Sequence, residues 1–159
     1  MDTSKEYILM CEKAEEIQGQ WKPKEWDCVY NQGDVFGYID MSEIHIWCIL
    51  PERIADSGYY GPYVDDGKLC DERYKDCIWL PRQDQLQEIG LDCFPYWKSD
   101  HESLNLIQNF HEWYEEDSRM HEGSHDLSME QLWLCYVMEE KYNKIWNGQK
   151  WEAWLNEDN

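Results

Sequence analysis

The chain has 159 residues, with 34 Asp or Glu against 14 Lys or Arg, and its formal net charge is −20 at pH 7. Such a surface repels nucleic acid and anionic membranes, which excludes direct binding to either and favours partners with basic clefts. The 10 Trp and 11 Tyr argue against disorder, and the length suits a single domain over residues 1–159.

The first predicted element is an amphipathic helix over residues 4–19. Its apolar residues recur at steps of three and four, namely Tyr7, Ile8, Cys11, Ala14 and Ile17. Strands near 29–30 and 35–39 are predicted on either side of a turn signal, and the alternating pattern of 44–50 predicts a third strand. Turn-rich residues 51–76 predict a long loop, and the apolar run 77–80 predicts a returning strand.

The second half has helical patterns. Pro81 precedes a predicted helix that stops at Gly90, and capping boxes at Ser99 and Ser128 open two more helices. The first of these two helices is predicted to carry Leu104, Ile107, Phe110, His111 and Tyr114. Asn147-Gly148 interrupts the pattern, after which Trp151, Trp154 and Leu155 suggest a short terminal helix.

Strands followed by helices, without alternation, predict an α+β fold. We expect an N-terminal helix, a small antiparallel sheet of about three or four short strands, and a helical C-terminal half of three or four helices. The 7 cysteines are odd in number and loosely spaced, and the polar start predicts no signal peptide. Reduced thiols in a cytoplasmic protein are therefore expected, and no apolar run is long enough to predict a membrane span.

One segment matches the HExxH pattern of zinc hydrolases, from His121 through Glu122 to His125. That chemistry requires a helix, because only a helix places both imidazoles on one face with Glu as general base. Gly123-Ser124 at the centre disfavours a helix, and the segment directly precedes the Ser128 capping box. The sequence therefore predicts no catalytic residue, no metal and no cofactor. The alternative is a zinc-dependent hydrolase in which His121 and His125 bind the metal.

The densest acidic stretch runs from residue 83 to residue 130, where only Lys98 and Arg119 are basic. Carboxylates in this stretch predict a partner-binding surface, although acidity that serves only solubility is the alternative. The candidate residues are Asp100, Glu102, Glu112, Glu115, Glu116, Asp117, Glu122 and Asp126.

Three segments, 78–88, 128–138 and 142–151, resemble stretches of small acidic proteins from phages and prophages of Gram-positive bacteria. The resemblance covers about a third of the chain and implies a phage-borne accessory protein in the cytoplasm of the host cell. Such proteins often inhibit host machinery by occupying a nucleic-acid channel, as some anti-CRISPR proteins do. The implied partner is a host nucleic-acid-binding protein or nuclease with a basic groove. The alternative is an accessory or regulatory phage protein without a defence target.

Overall fold

In the computed structural model, helices and short antiparallel strands occupy separate stretches of the chain, which confirms the predicted α+β class. The structure describes residues 1–24, 26–31, 35–40, 45–48, 77–94, 101–116 and 127–154. The chain forms two compact units. The first contains Met1–Ala14 and Arg82–Asn159, and the second contains Glu15–Pro81. A single domain over residues 1–159 stays a prediction.

Two helices, α1 (Lys5–Lys13) and α2 (Glu15–Gln20), occupy the region predicted as one helix over 4–19. The helix breaks at Ala14, whose φ of −84° and ψ of 67° leave the helical region and whose N–H donates to the Cys11 carbonyl at 3.2 Å. No Gly or Pro marks the break. Because the apolar repeat continues through the break, the sequence pattern does not reveal it. The prediction of one unbroken helix over 4–19 was wrong.

The second unit contains a four-stranded antiparallel sheet in the order β3-β2-β1-β4. Its strands are β1 (Cys28–Asn31), β2 (Val35–Asp40), β3 (His45–Cys48) and β4 (Cys77–Leu80). Asn31 pairs with Val35, so β1 and β2 form an antiparallel hairpin, as the turn signal between them predicted. The returning strand β4 pairs with β1 and places Trp79 opposite Val29.

Strand β4 lies at an edge of this sheet, and the side chain of Gln18 in α2 covers part of that edge. Gln18 Nε2 donates to the Trp79 carbonyl at 2.9 Å, while the Trp79 N–H donates to Gln18 Oε1 at 2.9 Å. The amide thus binds the backbone as a neighbouring strand would. Trp21 also stacks on Trp79, with ring centroids 6.0 Å apart and planes 5° from parallel. Edge pairing by another chain is blocked at this residue.

Replacing Gln18 by alanine is expected to destabilise the second unit by about 1–3 kcal/mol, because both backbone groups of Trp79 lose their partner. Gln18→Glu keeps an acceptor for the Trp79 N–H but loses the donor, and we expect an intermediate loss. Urea unfolding followed by tryptophan fluorescence measures both variants. Equal stability of Gln18→Ala and the wild type would contradict the role of this amide.

Helix α5 (Met129–Tyr142) is the core of the first unit, and every residue from 131 to 138 is buried. A helix buried on all sides must be surrounded by other elements. It packs against α1, α3 (Gln83–Leu91) and the strand that follows it. The predicted capping box is confirmed, since Ser128 Oγ accepts from the Gln131 N–H at 3.2 Å and Gln131 Oε1 accepts from the Ser128 N–H at 2.8 Å.

The chain after α5 forms a hairpin of β5 (Lys144–Trp146) and β6 (Trp151–Ala153). A short terminal helix was predicted from Trp151, Trp154 and Leu155. This prediction was wrong for Trp151, which lies in β6. Leu155 lies outside the described residues. Gly148 has a φ of 92°, and Asn147 Oδ1 accepts hydrogen bonds from the backbone N–H groups of Gln149 and Lys150 at 2.9 Å each. The Asn-Gly turn therefore decides the local structure over the helical spacing of the tryptophans.

Candidate acidic interaction surface

Helix α4 (Glu102–Glu116) carries three of the predicted acidic residues whose surroundings can be described, and aromatic contacts fix its orientation. Phe110 stacks on Trp133 of α5, with ring centroids 4.0 Å apart and planes 14° from parallel. Trp113 meets Tyr136 edge to face at 5.3 Å. Two polar groups complete this contact. Trp113 Nε1 donates to Glu139 Oε2 at 3.1 Å, and the Tyr136 hydroxyl donates to Asn109 Oδ1 at 2.6 Å.

The face of α4 that is buried differs from the predicted one. Leu106 and Trp113 are buried, whereas Leu104 is 67% exposed and Ile107 is 48% exposed. The pattern of apolar residues was ambiguous, because α4 has apolar residues on both sides. The larger aromatic residues decide which side is buried, since they remove more apolar area from water. The prediction that Leu104 and Ile107 are core residues was therefore wrong.

The eight predicted acidic residues divide into four groups. Glu112 and Glu115 are exposed within one turn of each other on the outer face of α4. Glu102 is also exposed, but it lies in the first turn, about 15 Å along the helix axis from Glu112. Glu116 ends the helix, and its side chain is not described. The remaining candidates, Asp100, Asp117, Glu122 and Asp126, lie outside the described residues, as do His121 and His125.

The carboxylates of α4 occupy the end of the helix where negative charge is least favourable. The C-terminal end of a helix carries a partial negative charge, and α4 has no basic residue in its last turn. Gln108 Nε2 donates to Glu112 Oε1 at 2.8 Å, and His111 Nδ1 lies 4.0 Å from Glu115 Oε1. Both carboxylates remain exposed, and a partner's cation would offset the unfavourable negative charge at this end of the helix.

A second acidic row lies on α3, and the sequence analysis missed it. The exposed positions between Gln83 and Asp92 are Asp84, Glu88 and Asp92, and all three are carboxylates. Their spacing of four residues places them about 6 Å apart along one side of the helix, opposite buried Leu86 and Gly90. This spacing was visible in the sequence once a helix was predicted there. We call these three residues the α3 acidic row.

Two cations lie beside the ends of the α3 acidic row. Arg82 Nε and Nη2 contact the two carboxylate oxygens of Asp84 at 3.0 Å each, and this guanidinium lowers the pKa of Asp84. Lys141 Nζ lies 3.9 Å from Asp92 Oδ2. Exposed ion pairs of this kind contribute little to stability, so a partner's Lys or Arg side chain can replace them at small cost.

Burial raises the pKa values of three titratable groups on and beside α5, namely Cys93, Tyr136 and Glu140. Burial raises the pKa of the Cys93 thiol, which lowers the fraction of reactive thiolate. Burial also raises the pKa of Tyr136, and partial desolvation together with the charge of Glu139 raises the pKa of Glu140. Across the described ranges, no group of three or more His, Cys, Asp or Glu could hold a metal ion.

The raised pKa of Glu140 predicts a pH dependence of stability. A carboxyl group with a raised pKa in the folded state favours folding below its ordinary pKa of 4.5, and this contribution is lost as the pH rises through the raised value. We therefore expect Glu140→Gln to raise Tm at neutral pH by about 1–3 °C and to flatten the dependence of Tm on pH. Calorimetry across this pH range measures both effects. Glu88→Gln removes the same charge from another helix of the same unit, and identical profiles for the two variants would contradict the assignment.

Comparisons with protein-family models, with curated proteins and with solved structures found no match to the chain. Within the part of the chain that the structure describes, no helix is long and apolar enough to cross a membrane. The exposed carboxylates of α3 and α4 and the net charge of the chain are therefore the features that bear on function.

Proposed function

We propose that the chain is a binding protein that inhibits a nucleic-acid-handling host protein by occupying its basic groove. The observation that carries this proposal is the α3 acidic row, in which every exposed position from Gln83 to Asp92 holds a carboxylate. Solubility alone requires charge but does not require one sign at each exposed position of a helix, since mixed charges serve equally well.

The spacing of the row suits imitation of a phosphate backbone. Carboxylates four residues apart on a helix lie about 6 Å apart along its axis. Phosphates of one DNA strand rise about 3.4 Å per step along the duplex axis and also wind around it, so successive phosphates are farther apart than this rise. A basic groove that binds successive phosphates of one strand would therefore meet Asp84, Glu88 and Asp92 at a comparable spacing.

The charge of the whole chain supports the same class of partner. A formal charge of −20 on 159 residues accelerates association with a positive surface, and salt weakens this attraction. Glu112 and Glu115 extend the exposed carboxylates to a second helix of the same unit. The resemblance to phage and prophage proteins favours a host defence nuclease as the target, as for an anti-CRISPR protein acting in the host cytoplasm.

The experiment is capture of host proteins on the immobilised chain at low and at high salt, followed by mass spectrometry. We expect the retained proteins to be nucleic-acid-binding proteins that are released by salt. Short duplex DNA added to the lysate should displace them, because it occupies the same groove. The captured protein is then tested for loss of its nuclease or DNA-binding activity when the chain is added.

Two results would contradict the proposal. The first is retention of proteins that salt does not release and duplex DNA does not displace, since neither behaviour fits a shared basic groove. The second is a captured nuclease or DNA-binding protein that keeps full activity with the chain bound. In that case the chain binds a basic protein without inhibiting it.

A further inference from the structure

The outer face of α4 differs from the α3 acidic row because it combines carboxylates with exposed apolar side chains. Leu104 is 67% exposed and Ile107 is 48% exposed, and the two lie one turn apart. The inner face of α4 already provides the aromatic contact with α5, so the core does not use these two residues. Single exposed apolar residues are common, but two neighbours on one helix face form a small apolar surface.

The carboxylates continue this surface toward the C-terminal end of α4. With a rise of 1.5 Å per residue, Glu115 lies about 16 Å along the axis from Leu104, and Glu112 lies at the opposite margin of the exposed side of the helix from Ile107. Leu104, His111 and Glu115 are seven and four residues apart, a spacing that keeps them on one side of the helix. We call Leu104, Ile107, Glu112 and Glu115 the α4 outer face.

The net charge decides which partner this face fits. A second copy of the chain would bring another 20 negative charges to the interface, and nucleic acid or an anionic membrane would be repelled in the same way. A protein surface with Lys or Arg side chains is attracted instead. The apolar part of the partner's surface must also contact Leu104 and Ile107. Polar groups of the partner that were buried against these two side chains would lose their hydrogen-bond partners.

We propose that the α4 outer face is a docking surface for a protein that presents an apolar pocket bordered by Lys or Arg side chains. This inference rests on the proposed function and adds specificity to it. The carboxylates accelerate association through long-range attraction. The apolar pair slows dissociation, because Leu104 and Ile107 leave water only in the docked complex.

The test uses two synthetic helical peptides of equal length and charge as defined probes. One combines Lys with Leu on opposite faces, and the other has Gln in place of each Leu. We expect the wild-type chain to bind the Leu-containing peptide about tenfold more tightly at high salt, where charge attraction is screened. The double variant Leu104→Ser, Ile107→Ser should lose this preference and keep its low-salt binding to the Gln-containing peptide.

Met129→Ser provides the matched control, because Met129 is an apolar residue that is 45% exposed on a different helix. It should keep the wild-type preference, and circular dichroism should give the same helix content for all three proteins. A preference that survives in the double variant would overturn the inference. So would sedimentation data that show a wild-type dimer abolished by the double variant, since the face would then bind a second copy.

The two proposals fail in different ways. If the wild-type chain binds neither peptide at low salt, attraction to basic proteins is wrong, and both the proposed function and this inference fail. If the wild-type chain binds both peptides equally at every salt concentration, the acidic surface attracts basic peptides as proposed. The α4 outer face then does not distinguish apolar from polar side chains on the partner. The second result overturns only the inference.

Discussion

Replacing Asp84, Glu88 and Asp92 together by Asn, Gln and Asn is expected to weaken binding to the captured basic partner about 10- to 100-fold at low salt. Each charge pair at an accessible interface contributes up to about 1 kcal/mol, and 1.4 kcal/mol corresponds to a tenfold change in Kd. The loss should appear mainly in the association rate and should shrink as salt is added, because the attraction acts at long range. Stopped-flow kinetics over a salt series measures both quantities.

The control for this variant removes the same charge from elsewhere. Glu6→Gln, Glu12→Gln and Glu15→Gln change three exposed positions on α1 and α2 and alter the net charge equally. If binding depends only on net charge, the two triple variants will lose affinity to the same extent, which would contradict a specific role of the α3 acidic row. A larger loss for the α3 variant is the expected result.

Trp133→Ala is expected to destabilise the first unit by about 3–5 kcal/mol. Trp133 is 0% exposed, stacks on Phe110 and meets Tyr136 edge to face at 5.5 Å. Its removal leaves a large cavity between α4 and α5, and this loss is a large part of the 5–15 kcal/mol that typically stabilises a protein. Urea unfolding followed by far-ultraviolet circular dichroism measures the change, because α5 and its neighbours supply most of the described helix.

Trp133→Phe separates ring packing from the polar edge of the indole. The Trp133 Nε1 group finds no acceptor among the described residues, so phenylalanine gives up no hydrogen bond within them. The smaller ring also keeps the stack on Phe110. We therefore expect a loss below half of that for alanine. Equal losses for the two variants would contradict the role of aromatic stacking in holding α4 on α5.

The elements that local residues determine were predicted well. Ser128 caps α5 as predicted, because the hydroxyl and the Gln131 amide satisfy backbone groups within four residues. Strands β1 and β2, which the sequence predicted on either side of a turn signal, pair with each other. Asn147-Gly148 was recognised only as an interruption, although the dipeptide is a strong hairpin signal that could have identified β5 and β6.

The exposed face of α4 was harder to predict because the choice depends on tertiary contacts. Both sides of this helix carry apolar residues, and only the packing of Phe110 and Trp113 against α5 determines that Leu104 and Ile107 remain outside. Of the predicted acidic candidates, Glu112 and Glu115 come together, whereas Glu102 lies at the other end of the helix. The α3 acidic row needed no tertiary information, since its four-residue spacing was present in the sequence.

The contact between α1 and the terminal hairpin has a consequence for synthesis of the chain. Trp151 Nε1 donates to the Met10 carbonyl at 2.9 Å, and 141 residues separate the two. At about 5–20 residues per second, the ribosome needs roughly 7–28 s to add the residues between them. Residues 15–81 are continuous and can fold in that time, whereas α1 must wait for α5 and the hairpin to emerge. Its apolar face, with Met10 and Cys11, is therefore available to chaperones on the nascent chain.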